Sequence, residues 1–220
     1  MRKIFFVLLM AVVGLLVAAD FGARAAAANQ LQHNLQKGVP SATSASVEID
    51  SFPFLGRLLA SGQVSTVHAT VTDVDAGALK LARVTVDLHD VHIDRQALAG
   101  QRRVELTSIG KGTATAEITQ EELSTALHVP VRFSNGKVAV RAGPLQATAK
   151  VTVQDNVIRL TAGPVSLPAI RIPKAPLLPC VANAEVLEGR IRVSCTLNQV
   201  PEELLRIVRS QTTTPQAPRG

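Results

Sequence analysis

The sequence predicts an α+β fold built mainly from antiparallel strands, with helices at both ends and one between strands. Turn dipeptides typical of tight hairpins, Asn135-Gly136 and Asp155-Asn156, lie between runs in which apolar and polar residues alternate. Thr119 and Glu122 have the spacing of a capping box, which marks the first turn of a helix before the first hairpin. Alternation of this kind is typical of antiparallel sheets that have one face on a core and the other in water.

The composition supports a folded domain and argues against one class of partner. The chain has 220 residues, 46% of them apolar, and no Trp or Tyr, so its core must consist mainly of Val, Leu, Ile and Ala. The net charge is +6. Without residues 1–19 it falls to +4, because 21 Lys and Arg and 17 Asp and Glu remain. This excess is spread along the chain, so we expect no nucleic-acid partner and favour an anionic lipid surface.

An apolar segment follows two cations at the start of the chain. Arg2 and Lys3 precede residues 4–19, which contain no charge or amide, and Asp20 ends the run. Its length lies between the apolar part of a signal peptide, about 7 to 15 residues, and a spanning helix, about 20. The small residues Val17-Ala18-Ala19 favour cleavage, and the alternative is an uncleaved anchor with its N-terminus in the cytoplasm. Either alternative exports a domain of residues 20–209.

A helix is predicted directly after this segment. Residues 20–37 are rich in Ala, lack Pro and end at Gly38, which is typical of a helix with a glycine after its last turn. Its apolar stripe is expected to contain Phe21, Ala25, Ala28 and Leu35.

Residues 79–93 are predicted to form one long strand whose alternation slips twice. The apolar positions are Leu79 and Leu81, then Val84, Val86 and Leu88, then Val91 and Ile93. Each slip is typical of a β-bulge, which adds a residue and bends the strand. We therefore expect a long, bent strand.

The two hairpins predict how their strands pair. The turn at Asn135-Gly136 places Phe133 opposite Val138, and the turn at 155–156 places Val153 opposite Ile158. A last helix is expected to begin at Pro201. Residues 210–220, rich in Thr, Pro and Gln, are expected to form a disordered tail.

Cys180 and Cys195 are the only cysteines, and a disulfide between them is the expected state in an exported chain. If Glu188-Gly189 is a turn, Val186 faces Ile191, and Cys180 lies two residues beyond the position opposite Cys195. A small register shift or bulge then brings the two sulfurs within disulfide geometry. A bridge that closes about 16 residues should contribute on the order of 3 kcal/mol.

The chain lacks the usual catalytic constellations. None of the motifs GxSxG, HExxH, GxGxxG, CxxC or the Walker loop occurs. His89 and His92 lie among acidic residues, but positions three apart in a regular strand point to opposite faces, so we expect solvent-exposed side chains rather than a metal site. We therefore expect no enzymatic activity, no metal and no cofactor.

Residues 52–59 form the most distinctive segment, with the sequence Phe-Pro-Phe-Leu-Gly-Arg-Leu-Leu. Pro53 ends the incoming strand, and the remainder suits a helical turn. The segment either plugs the core at one end of a sheet, or forms the lip of an apolar cavity or a membrane-touching tip, where Arg57 is suited to bind phosphate with both arms of its guanidinium. The candidate binding residues are Phe52, Phe54, Leu55, Arg57, Leu58 and Leu59.

Four alanines on the predicted inner faces leave room for a bulky partner. Ala114, Ala116, Ala147 and Ala149 are too small to fill the inner side of a sheet. A packed helix would fill the space, and so would an acyl chain. An Ala-rich genome composition is a further explanation. We count these four with the candidate lipid-binding residues.

Together these features resemble the LmeA family of phospholipid-binding proteins, which is found in the envelopes of actinobacteria. The resemblance rests on the apolar leader ending at Asp20, the Ala-rich helix, residues 52–59, the stretch 112–119 (GTATAEIT), Asn135-Gly136 and the late cysteine pair. It covers nearly all of residues 20–208. Its motifs are structural rather than catalytic.

The resemblance implies a tubular lipid-binding (TULIP-like) fold, in which a curved antiparallel sheet wraps a long helix and leaves an apolar groove. It also implies binding of phospholipids, including phosphoinositol lipids, at a membrane surface, and a role in elongating the mannan of lipomannan and lipoarabinomannan. The alternative is a non-enzymatic scaffold or chaperone for a membrane glycosyltransferase. Both functions place the protein in the periplasm or cell envelope, where residues 4–19 anchor it if they are not cleaved.

Overall fold

The structure is a computed structural model that describes residues 2–75, 77, 79–101, 106–134, 136–142, 145–154, 157–162, 165–166, 170–171 and 183–197. Over these ranges the fold is α+β. The helices are α1 (Arg2–Gly38), α2 (Phe54–Ser61), α3 (Arg95–Gln101) and α4 (Gln120–Leu127). The strands of the first sheet are β1 (Ser44–Asp50), β2 (Gln63–Asp75), β3 (Lys80–Ile93), β4 (Leu106–Ser108), β5 (Lys111–Thr119), β12 (Asn183–Leu187) and β13 (Arg190–Leu197). The strands of the second sheet are β6 (Val131–Ser134), β7 (Lys137–Ala142), β8 (Leu145–Gln154), β9 (Val157–Ala162), β10 (Val165–Ser166) and β11 (Ile170–Arg171).

Both sheets are antiparallel and open. The first has the order β1-β2-β3-β5-β13-β12, with β4 beside β3 at one end. The second has the order β10-β9-β8-β7-β6, with β11 also paired to β9. Helix α1 packs mainly on β1 and α2. The α+β class predicted from the sequence is confirmed.

The local signals of the sequence are confirmed where the structure describes them. Phe133 pairs with Val138, Val153 pairs with Ile158, and Val186 pairs with Ile191. The capping box is also present. The Thr119 hydroxyl accepts the backbone N–H of Glu122, and the Glu122 carboxylate accepts the backbone N–H of Thr119. These interactions join residues that are close in sequence, which is why the pattern alone predicts them.

The two phase slips in the long strand β3 are also present, and each is matched in its neighbour β2. Ser65 and Asp90 lie opposite each other without pairing, and so do Asp73 and Ala82. The register of the two strands is the same on both sides of each unpaired position. Asp73 and Asp90 have left-handed φ angles of 53° and 52°. A bulge in one strand alone would turn the partner's apolar side chains to the wrong face. The structure avoids this because both strands slip together.

The buried face of α1 differs from the predicted stripe. Phe21 is 54% exposed and Ala25 is also exposed, whereas Ala28 and Leu35 pack against the core as expected. The inward face instead passes through Asp20, which is only 6% exposed. A stripe judged by hydrophobicity alone cannot include a buried carboxylate, so the predicted stripe was rotated away from the true one.

In the described part of the chain, the hydrophobic core has two clusters on the inner face of the first sheet. The larger, cluster 1, lies where the second sheet and α4 cover the first sheet. Its buried members include Val71, Val84, Ala114, Ala116, Ile118, Leu123, Phe133, Val138 and Ile191. The smaller, cluster 2, lies under α1 and α2 at the other end of the long strands. Its buried members are Ile49, Phe54, Val64, Val91 and Ile109.

Several predicted features lie outside the described residues. They are Asn135 of the first predicted turn, the turn residues 155–156, Cys180, the helix beginning at Pro201 and the tail 210–220. Cys195 is buried on β13 beside Ala114, at 3% exposure. The disulfide between Cys180 and Cys195 therefore stays a prediction.

Candidate functional site

The first sheet has one apolar face and one polar face. Three cross-strand rows lie on its inner face. One row runs Ala45, Val71, Val84, Ala116, Val193; the next runs Val47, Ala69, Val86, Ala114, Cys195; the third begins Ile49, Val67, Leu88. The residues between these positions point outward and are mostly Ser, Thr, Asp, Glu and His. The sheet is therefore amphipathic, as a sheet with one solvated face should be.

The inner face is not evenly covered. Its first row is buried from Ala45 to Val193, and Ile49 in the third row is buried as well. Between them lie five apolar side chains that are only half-buried, which we call the central strip: Val47, Val67, Ala69, Val86 and Leu88. Val86 touches cluster 1, whereas Val67 and Leu88 touch cluster 2. The strip is thus a band of the inner face that lies between the two clusters and that their side chains cover only in part.

Helix α1 packs on β1 at the edge of this sheet and contributes residues to both clusters. Ala28 packs against cluster 2 and Leu35 against cluster 1. Leu31 follows Ala28 by three residues and precedes Leu35 by four, so the three side chains share one helix face. Leu31 is nevertheless 39% exposed, although it is a large apolar residue between two packed neighbours. The helix face between its contacts with the two clusters therefore also has apolar surface that protein atoms do not cover.

Sequence analysis overlooked the central strip. Val84, Val86 and Leu88 were recognised as one face of a strand, but the matching alternation of Val67, Ala69 and Val71 in β2 was not used. Reading the two strands together would have revealed an apolar band two strands wide. Only the structure shows that the band is left partly uncovered.

The predicted segment 52–59 is divided between core and surface. A cis peptide bond joins Phe52 to Pro53, and α2 begins at Phe54. Phe54 is buried in cluster 2 at 4% exposure, and Leu55 and Leu58 pack against that cluster, as the core-plug alternative expected. On the outer side, Phe52 and Leu59 are 60% and 69% exposed.

Arg57 is exposed at the same end of the molecule as the outward-facing apolar residues of this segment. One of its guanidinium nitrogens, Nη1, donates a hydrogen bond of 2.6 Å to the hydroxyl of Ser65 on β2. This contact holds the side chain beside the sheet and uses one of the N–H donors of the guanidinium. Arg57 is therefore placed to meet an anion that approaches α2 from solvent.

The N-terminus of α2 is capped from a distant part of the chain. Pro53 precedes the helix and provides no side-chain cap. The carboxylate of Asp20 takes this role: Oδ2 accepts the N–H of Phe54 at 2.9 Å, and Oδ1 accepts the N–H of Leu55 at 2.6 Å. A carboxylate at this position also faces the positive end of the helix dipole. Asp20 thus ties the middle of α1 to the start of α2.

The four predicted alanines come together in one place. Ala114, Ala116 and Ala149 are buried in cluster 1, and Ala147 packs against it half-buried. The bulky partners beside them in this cluster include Leu123 and Leu127 of α4 and Phe133 of β6. The packed-helix alternative therefore accounts for much of the space that the alanines leave.

The polar face holds a small charged cluster. His68 Nδ1 lies 2.5 Å from Asp87 Oδ1, and His68 Nε2 lies 3.8 Å from Asp50 Oδ2. His89 and His92 share this outer face by alternation, because Leu88 and Val91 point inward on either side of the slip at Asp90. The expectation that they point to opposite faces was therefore wrong. Among the described residues, no group of three or more His, Cys, Asp and Glu has a geometry suited to a metal ion.

A shallow depression lies away from the central strip, between α4 and β6. It has a volume of about 520 Å³ and is open to solvent, with Ser124, His128 and Arg132 among its lining residues. Because it is open, it would leave much of an acyl chain in contact with water.

Comparison with known proteins identifies the family. The model of the LmeA-like phospholipid-binding family matches residues 18–215. No curated protein and no solved structure matches the chain. The family match covers most of the chain, including α1 from residue 18, both sheets and the segment 52–59. The chain therefore belongs to the LmeA-like phospholipid-binding family.

Proposed function

We propose that this protein binds a phospholipid by laying acyl chain on the central strip. The observation that supports this is the half-buried apolar band between two buried clusters, together with the exposed Leu31 on α1. Apolar surface that protein does not cover is stabilised by an apolar ligand, by about 0.8 kcal/mol for each CH₂ group removed from water. The family's phospholipid-binding description gives the class of ligand.

In this proposal the protein is TULIP-like: the first sheet curves around α1, and the strip is the floor of the groove between them. The paired slips in β2 and β3 support such curvature, because an inserted residue increases local twist and bend. Val47, Val67, Ala69, Val86 and Leu88 contact the acyl chain, and Ala147 extends the apolar surface toward the second sheet.

The predicted candidate residues then have two roles. Phe52, Arg57 and Leu59 are exposed at the α2 end and form the mouth, where Arg57 meets the lipid phosphate. The other candidates support the walls from inside the core or its margin. They are Phe54, Leu55, Leu58, Ala114, Ala116 and Ala149.

The biological setting extends the proposal and rests on the family resemblance. We place the domain of residues 20–209 in the cell envelope, stabilised by the Cys180–Cys195 disulfide, with the membrane surface as the source of lipid. The lipid is a phosphoinositol-type phospholipid, and its presentation supports mannan elongation of lipomannan and lipoarabinomannan by an envelope glycosyltransferase. The protein performs no chemical step in this scheme.

Filling the strip tests the proposal. Ala69→Leu adds a larger side chain at the centre of the strip, whereas Thr70→Leu adds a similar bulk one residue away on the polar face. Both variants and the parent chain are expressed with export, and lipids are extracted from the purified proteins and quantified by mass spectrometry. We expect near-stoichiometric phospholipid in the parent and in Thr70→Leu, and a large loss in Ala69→Leu.

The folded state of each variant is checked by circular dichroism before lipid analysis. A folded Ala69→Leu variant that retains as much phospholipid as the parent would contradict the assignment of the strip. A parent chain that is folded, free of lipid and unable to take up added phospholipid would contradict lipid binding itself, and would favour the scaffold alternative.

A further inference from the structure

The apolar segment at the start of the chain is continuous with the helix of the domain. Helix α1 runs from Arg2 to Gly38 without a break. The side chains of residues 10–19 are exposed, and the side chain of Asp20 is buried. Length and composition allow the described part of this helix to cross a membrane, although a signal sequence has the same properties.

The segment is too short to span a bilayer if it stops at Asp20. Residues 4–19 in a helix extend about 24 Å at 1.5 Å per residue, whereas the hydrocarbon core is about 30 Å thick. Phe21, Gly22 and Ala23 continue the apolar composition to Arg24, and residues 4–23 extend about 30 Å. Asp20 is then the single charged residue in a span of sufficient length.

In the structure, the fold covers the carboxylate of Asp20. The Asp20 carboxylate is almost fully buried, and both of its oxygens accept backbone N–H groups at the start of α2. These two hydrogen bonds and the positive end of the α2 dipole offset part of the cost of keeping this charge away from water. Residues 4–23 are therefore an apolar sequence whose one carboxylate is covered by the fold.

The surface around Asp20 fits the boundary of a bilayer. Phe21 and Phe52 are exposed and adjacent, with ring centroids 6.2 Å apart. Gly56 lies against the ring of Pro53, which follows Phe52, and Leu59 is exposed three residues later on the same face of α2. We call Phe21, Phe52, Gly56 and Leu59 the rim. An exposed apolar patch of this kind, beside a helix able to span the membrane, indicates contact with lipid.

Cations border the rim on its polar side. The Arg24 guanidinium carbon lies 5.6 Å from the centroid of the Phe21 ring, and its Nη1 lies 3.8 Å from Asp50 Oδ1. Arg57 is exposed one residue beyond Gly56. Arginine beside aromatic residues is typical of the membrane interface, where the stem lies in apolar surroundings and the charge meets phosphate.

We propose that α1 remains attached as a membrane anchor spanning residues 4–23, and that the rim rests in the outer interface of an anionic bilayer. Asp20 fixes the angle between anchor and domain through α2. This inference concerns the bilayer itself and does not depend on a lipid bound to the central strip.

The lack of Trp in the chain makes a sharp test available. Phe52→Trp introduces the sole tryptophan at the rim, and Lys137→Trp introduces it at an exposed site on the hairpin of the second sheet. The full-length variants are reconstituted into vesicles of phosphatidylcholine and phosphatidylglycerol. We expect the emission of Phe52→Trp to shift to shorter wavelength and to be quenched by lipids brominated near the carboxyl end of the acyl chain. We expect neither effect in Lys137→Trp.

Two further measurements separate this inference from the groove proposal. The double variant Phe52→Trp with Ala69→Leu should keep the shift and the quenching, because they come from the bilayer and not from a lipid on the strip. The intact mass of the full-length protein recovered from the envelope should include residues 1–19. Water-like emission of Phe52→Trp in vesicles, loss of quenching in the double variant, or a mass that lacks residues 1–19 would each overturn the inference.

Discussion

Asp20 is expected to be the polar residue on which the junction of α1 and α2 most depends. Its carboxylate accepts the N–H groups of Phe54 and Leu55, and no side chain at Pro53 replaces it. Asp20→Ala therefore leaves two N–H groups at the start of α2 without an acceptor, one of them buried. A charge-assisted hydrogen bond contributes about 1.5–3 kcal/mol, and loss of a helix N-cap costs about 0.5–2 kcal/mol.

The two hydrogen bonds share one carboxylate, so their contributions do not simply add. We expect Asp20→Ala to lower the free energy of unfolding by about 2–3 kcal/mol. For a chain of this length, that corresponds to a decrease in Tm of roughly 5–10 °C. Thermal unfolding of the full chain in mild detergent, followed by circular dichroism, measures the change. Asp20→Asn keeps one acceptor oxygen and should lose about half as much.

Asp50→Ala is the matched control. Asp50 is also an aspartate near α1, but it is exposed, and nitrogen atoms of Arg24 and His68 lie 3.8 Å from its carboxylate. An exposed pair of this kind contributes about 0–1 kcal/mol. If Asp20→Ala unfolds at the same temperature as Asp50→Ala, the carboxylate of Asp20 does not hold α2 in the way described.

Three further predictions, which use four substitutions, test the local structure by urea unfolding. Thr119→Ala removes the hydroxyl of the capping box and should cost about 1 kcal/mol; an unchanged midpoint would contradict that role. Gly62 and Gly77 both have positive φ, so replacing either by Ala should lower the free energy of unfolding, by about 1–2 kcal/mol for Gly77→Ala. Gly62→Ala should cost clearly more, because its new Cβ would lie 2.4 Å from the carbonyl oxygen of Ile93. Leu123→Ala opens a cavity in cluster 1 and should cost about 2–5 kcal/mol; a loss below 1 kcal/mol would show that the cluster collapses around it.

Sequence reasoning succeeded where the signal is local. The hairpin pairing of Phe133 with Val138 follows from the turn dipeptide between them, and the capping box follows from residues three apart. The α+β class follows from these same elements. Such features depend on backbone geometry that a few neighbouring residues determine.

The junction at Asp20 shows why other features were missed. Its partners at 54 and 55 are more than thirty residues away, so no local pattern links them. The sequence indicated only that Asp20 ends an apolar run. Its burial follows from the way α1 lies across the start of α2, and that placement is a property of the whole fold.

The central strip was missed for a different reason. Each strand taken alone shows apolar residues on one face, which predicts burial but not how complete the burial is. Val47, Ala69 and Val86 are half-buried, whereas Ala114 and Cys195 further along the same row are covered, as are Val71 and Val84 in the next row. Incomplete cover depends on how α1 and the second sheet sit above the first, which no single strand encodes.

Under the two proposals, α1 links membrane anchoring to lipid binding. An acyl chain that moves from the bilayer to the central strip exchanges one apolar environment for another, so the net change from apolar burial is small. Passage through water is different, because a chain of roughly a dozen CH₂ groups would then face a barrier of about 10 kcal/mol. A rim held in the bilayer interface by residues 4–23 and by the Asp20 contact would avoid that passage. Detaching α2 from α1, as in Asp20→Ala, should therefore slow lipid uptake from vesicles even though the strip itself is unchanged.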